Sequence, residues 1–195
     1  MNNTFTSFST AILRKMFMLG TIVIAMSLTG CAAVAPKYQA TVDNAKTLQA
    51  TQGGVASVGP FTAKNANLNQ LSLRGGAYTS PYNNSYAEYL KEALRVELES
   101  AGKLGNNTNV VITGELLKNS LDAAIGTGTA NVSARFVVTR DKNKSYDKVL
   151  SADTQWESSF VGAIAIPAAR QHYADAVKQL LGKLFEDKDF QQSIK

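Results

Sequence analysis

The chain has 195 residues, 45% of them hydrophobic and 18% charged, which suits one folded domain with or without a tail. A single Cys excludes a disulfide framework and any cysteine-based zinc or iron–sulfur site, and a single His excludes the usual multi-histidine sites, so no metal or cofactor is expected. The formal net charge is +5, and setting aside Arg14 and Lys15 leaves 18 basic against 15 acidic residues, too weak and scattered for a nucleic-acid partner.

Residues 1–30 read as a secretory signal peptide. Arg14 and Lys15 form a positive start, and Met16 to Ser27 is an uncharged apolar run of 12 residues. A membrane-spanning helix needs about 20 such residues, so a permanent span is disfavoured. Leu28-Thr29-Gly30-Cys31 follows at once. These four residues, in this position, resemble a bacterial lipobox. The resemblance implies cleavage before Cys31, a diacylglycerol on its sulfur and an acyl chain on the new N-terminus. Two or more chains give a stable anchor, at about 0.8 kcal/mol per buried CH₂. The membrane is thus an expected partner, reached through Cys31. Ala32 and Ala33, rather than Asp, follow the Cys. By resemblance to enteric sorting patterns, that favours the outer membrane with the body facing the periplasm.

Residues 31–54 show no sustained period and end in Gly53-Gly54. They read as a flexible tether, with a coil span of about 27 Å. Residues 55–195 read as the domain. Val55–Phe61 is a short strand candidate, and Pro60, which cannot donate to a ladder, marks its end or a sheet edge. Leu68, Leu71 and Leu73 suit a short strand or a packed loop. Ser85 and Glu88 have capping-box spacing, and Tyr86, Tyr89, Leu90, Ala93, Leu94, Leu98 and Ala101 line one face of a helix over 85–101. Asn109–Lys118 is a strand of mixed pattern, and Gly126-Thr127-Gly128 reads as a turn. Val132, Ala134, Phe136 and Val138 alternate with polar residues, so the strand has one buried face. Asp141–Ser145 is a polar hairpin loop, in which Lys142, Lys144 and nearby Lys148 are interleaved with Asp141 and Asp147 and read as a solvated tip. Leu150, Ala152, Thr154 and Trp156 alternate next. A last helix is expected from Ala168 to Phe185, with Pro167 at its start. The order β–α–β–β–β–α predicts a single α+β domain. Its antiparallel-rich sheet would have about four strands, with two helices packed on one face.

No HExxH, GxSxG or GxxxxGK[ST] pattern occurs, and the chain is not expected to be an enzyme. His172 has no partner implied by spacing. Asp153 and Glu157 stand about 13 Å apart along a strand, too far to share a proton. Asp187 and Asp189 read as tail solvation.

Two apolar features remain as candidate interaction surfaces. Phe160–Pro167, with Phe160, Val161, Ile164 and Ile166, is an uncharged run between the last strand and last helix. A buried crossing segment is the favoured reading, because contiguous apolar exposure is uncommon. Tyr78, Tyr82, Tyr86 and Tyr89 cluster around the first helix. Packing onto the sheet is favoured over an interface, although tyrosine suits both.

With Leu28–Cys31, the helix Tyr86-Ala-Glu-Tyr-Leu-Lys-Glu-Ala-Leu and the run Ala130–Phe160 in place, the chain resembles small bacterial envelope lipoproteins of the YajG type. That resemblance is one of layout. It implies a non-enzymatic accessory or binding protein with an envelope protein partner. The alternative is a carrier of lipid or lipopolysaccharide, using residues 160–167 and the gap between helices and sheet. An enzyme without a recognisable motif is the third reading.

Overall fold

The strictest alternation in the sequence belongs to the longest strands, and these build the main sheet. The structure is a computed structural model, and it describes residues 33–195. In chain order the elements are β1 (Ala33–Val34), α1 (Val42–Ala50), β2 (Ser57–Ala63) and a 3-10 turn (Ala66–Asn69). There follow β3 (Leu71–Leu73), β4 (Gly76–Thr79), α2 (Tyr86–Ser100), β5 (Val110–Asp122) and β6 (Gly126–Arg140). The chain ends in β7 (Asn143–Ser158), α3 (Gly162–Glu186) and α4 (Lys188–Ser193).

The main sheet has the order β2-β5-β6-β7. The β5–β6 and β6–β7 pairs are antiparallel. The β2–β5 pair is parallel, which demands a crossover, and α2 lies within it. Val132, Ala134, Phe136 and Val138 all face the core and are buried, as the alternation predicts. On that face α2 covers β2 and β5, and α3 covers β6 and β7. Burial of each large side chain contributes about 1.5–3 kcal/mol. The α+β class and the antiparallel-rich sheet of four strands stand as expected. A second, smaller sheet, β1-β4-β3, was not foreseen. Its strands have two to four residues, too few to show a period.

The helix over 86–100 begins as its sequence requires, with the Ser85 hydroxyl accepting from the Glu88 N–H at 3.2 Å. The last helix begins earlier than expected, at Gly162, so Pro167 lies inside it and not at its start. Proline removes one hydrogen bond there, and its position is exposed, where the freed carbonyl can meet water.

Two turns also differ. The β6–β7 connection is only Asp141-Lys142, both at positive φ, which is the twist-matching two-residue hairpin. The β5–β6 turn is Ala123–Ile125, not Gly126–Gly128. Gly126 sits at φ +90°, and Gly128 is a strand residue whose missing Cβ leaves room for the Trp156 ring.

The largest correction concerns the expected tether. Residues 33–54 are part of the domain. Val42–Ala50 is a helix, capped by Thr41, whose hydroxyl accepts from the Asn44 N–H at 3.1 Å. Ala35, Tyr38, Ala45 and Leu48 are buried, and the Gly54 N–H donates to the Ile194 carbonyl at 2.8 Å. The segment is held from α2 by Glu97, which is 0% exposed. Its carboxyl group accepts from the Tyr38 hydroxyl at 2.5 Å, from Asn44 Nδ2 at 2.9 Å and from the Thr41 N–H at 3.3 Å. These donors come from one short stretch of chain, 53 to 59 residues away in sequence. Local pattern carries no trace of such a partner.

Candidate functional site

Six of the seven tyrosines form one aromatic cluster. Tyr86 and Tyr173 meet edge to face at 5.3 Å, and Tyr38, Tyr78, Tyr82 and Tyr89 join them at 5.9–6.3 Å. Tyr78 is 1% exposed, so it is not an interaction surface, and Tyr82 is half-buried. The rings instead fasten α2 and α3 to the small sheet. Burial pushes the Tyr78 hydroxyl up to about 12, against the lowering effect of Arg170, whose guanidinium lies 5.9 Å from the ring centre. Burial raises Tyr38 further still, and its hydrogen bond to Glu97 acts in the same direction. The Tyr173 hydroxyl donates to Asn119 Oδ1 at 2.9 Å and the Tyr86 hydroxyl to the Tyr78 carbonyl at 3.0 Å. These are structural bonds. The space between helices and sheet, offered above as a carrier's gap, is filled by these rings and by Phe136 and Phe185.

The titratable candidates are structural as well. His172 stacks flat on Trp156 at 4.5 Å, and its backbone carbonyl accepts from the Thr154 hydroxyl. Asp153 and Glu157 are exposed on the open face of the sheet. Arg135 and Lys144 both pair with Asp147, at 2.6 Å each, which offsets part of the positive charge of the hairpin. Asp187 and Asp189 are not simply solvated, because Lys148 pairs with both, at 2.9 and 2.7 Å. Asp187 also caps α4, accepting from the Asp189 N–H at 2.9 Å. Burial works against its ionisation. Lys148, the Asp189 N–H and the Tyr146 hydroxyl outweigh that and hold its carboxyl below the usual carboxylate value. Among the described residues no group of three or more His, Cys, Asp or Glu could hold a metal ion. No described helix is long and apolar enough to cross a membrane.

The run Phe160–Pro167 is not a buried crossing segment. It forms the end of the β7 connection and the first turns of α3. Phe160 is 76% exposed, Val161 38% and Ile164 61%, while Ala165 is buried and Ile166 half-buried. Helical spacing divides the run, turning Ala165 and Ala169 inward and Ile164 outward. The structure adds a residue that the sequence did not single out, Ile125, which is 70% exposed in the β5–β6 turn. An isoleucine at the tip of a tight turn was the available signal. The cross-strand pair Gly126–Ser158 brings the turn alongside the start of α3. A third piece joins them. Arg74, at positive φ in the β3–β4 turn, donates from Nη2 to the Ser159 carbonyl at 2.6 Å. The result is an exposed apolar tip bordered by the Arg74 guanidinium, suited to non-covalent contact with another apolar surface. Leu28, Thr29, Gly30 and Cys31 lie outside the described residues.

No family model and no curated protein matches the chain. Among solved structures, the fold is similar to a DUF330 protein from Xanthomonas campestris, with a TM-score of 0.56 and 10% identity over 80% of this chain and 92% of that one. Weaker likenesses include a candidate lipoprotein from Caulobacter crescentus, with a TM-score of 0.44 and 12% identity over 77% of this chain and 94% of that one. A minor lipoprotein from Acinetobacter baumannii likewise gives a TM-score of 0.44, with 11% identity over 70% of this chain and 92% of that one. At such identities, the likeness to the Xanthomonas protein is one of fold.

Proposed function

We propose that the chain is a lipid-anchored accessory protein of a bacterial cell envelope, held through Cys31 and acting by contact rather than by catalysis. The observation that carries this is the lipobox-like Leu28–Cys31, placed behind a 12-residue apolar run and two residues before the first described strand residue, Ala33. In this reading the body faces the periplasm from the outer membrane and meets another envelope protein there. The carrier alternative is less well supported, since aromatic side chains fill the space it would need.

The test is Cys31→Ser. The parent should take up a fatty-acid probe, shorten by the length of the signal peptide and float with the outer-membrane fraction on a density gradient. The variant should remain a precursor without label. Equal labelling of the two would refute the anchor. A labelled parent found with the inner membrane would refute the placement.

A further inference from the structure

The apolar tip and the start of the folded chain lie at the same end of the domain. β1 runs parallel to β4, with Ala33 opposite Tyr78 and Val34 opposite Thr79. Followed backwards from Ala33, the strand therefore points toward the β3–β4 turn at Arg74-Gly75. That same turn is tied by Arg74 to Ser159, next to Phe160. Cys31 precedes Ala33 by two residues, a reach of at most about 7 Å. An acylated Cys31 would sit at a bilayer surface, so this end of the domain cannot stand far from it.

The composition of the tip fits that surroundings. No charged residue occurs over 158–169 or over 123–134, the two stretches that carry its apolar side chains, and Arg74 and Asp122 stand at their border. Val161 occupies the N-cap of α3 and provides no side-chain acceptor, although Ser, Thr, Asp or Asn is the favoured residue there. The sequence thus gives up a cap where it places an apolar side chain outward.

We propose that Ile125, Phe160, Val161 and Ile164 form a membrane-docking surface, which seats in the interfacial layer of the bilayer that carries the Cys31 lipid. This rests on the lipid anchor proposed above. It adds that the domain stands on the membrane in one orientation, tip down. The short connection favours lipid over a protein as the occupant, because a protein bound at the tip would have to fit between the domain and its own anchor.

The test uses the full chain in intact cells. A diazirine-bearing residue replaces Phe160, Ile164 or Ile125, one at a time, and Val149, exposed on the open sheet face, serves as the control. All four positions are exposed, so the fold should tolerate them. After irradiation, positions 160, 164 and 125 should give adducts with chloroform-soluble lipid several-fold above position 149. Protein adducts at the tip, or lipid adducts equal at all four positions, would overturn the proposal. Fatty-acid labelling at Cys31 is read on the same samples. A labelled chain without lipid adducts at the tip sinks the docking surface and spares the anchor. An unlabelled chain sinks the anchor, and its adduct pattern still decides the docking surface.

Discussion

Replacing Glu97 by Ala should release the N-terminal segment from the body. The side chain is fully buried and accepts from three donors, Tyr38 Oη, Asn44 Nδ2 and the Thr41 N–H. Hydrogen bonds to a charged or strongly polar acceptor contribute about 1.5–3 kcal/mol each, and leaving their donors buried without a partner costs a similar amount. The donors can escape by undocking, however, which sacrifices the burial of Ala35, Tyr38, Ala45 and Leu48. The expected cost is therefore bounded by that burial, about 3–6 kcal/mol at about 1.5–3 kcal/mol for each of the two large side chains, Tyr38 and Leu48. Tyr38→Phe removes one donor and keeps the ring in place, so its cost should be smaller, about 1–2 kcal/mol. Against a total stability of about 5–15 kcal/mol, Glu97→Ala should remain folded at 25 °C but shifted in urea. Hydrogen exchange read by mass spectrometry gives the decisive measurement. Amides of α1 should lose protection in Glu97→Ala, while those of β6 keep theirs. A variant with the parental urea midpoint and a protected α1 would refute the latch.

Phe136→Ala opens a cavity on the core face of β6, beside Phe61, and should cost about 3–5 kcal/mol, a fall in melting temperature of roughly 6–20 °C. Melting within a degree of the parent would contradict the core face of β6. Asp187 provides a pH test, because its carboxyl is held below the ordinary value by Lys148, the Asp189 N–H and the Tyr146 hydroxyl, against its burial. Its ionised form stabilises the fold above about pH 4, the unfolded-state value, and that contribution is lost as pH falls through the lower folded-state value. Asp187→Asn should thus show a flatter loss of stability below pH 4 in urea titrations, and an unchanged acid limb would refute the role.

The parts of the fold that were legible in the sequence are those whose partners are local or whose pattern is long. Val132 to Val138 repeat every second residue over a strand of fifteen, and Ser85 and Glu88 announce α2 within a single turn. α1 was not legible, because only Ala45 and Leu48 among its apolar residues are buried, and a pair three apart looks like chance. Its hold comes from Glu97, which reads on its own as one more acid on a helix. Pro167 misplaced the start of α3 because proline is commonest at a first helical position, whereas here it merely interrupts one bond on an exposed side. The Tyr residues were ambiguous by their chemistry, an apolar ring with a polar end, and only the ring contacts assign Tyr78 to the core. The apolar run over 160–167 held all the information on its composition and none on which side chains face out.

The β6–β7 hairpin gives the molecule a ruler. The fourteen steps of β6 from Gly126 to Arg140, at about 3.3 Å each, span about 46 Å along the strand. At the far pole Arg140 Nη2 donates to the carbonyls of Ser193 and Lys195, at 3.1 and 3.0 Å, so the end of the chain is fixed there. Residues 33–34 and 193–195 thus stand toward opposite ends of β6. A fluorescent or affinity label attached at Lys195 would be held a fixed height from whatever the near pole touches. Energy transfer from that label to a dye in the opposing surface would then read the standing height of the domain.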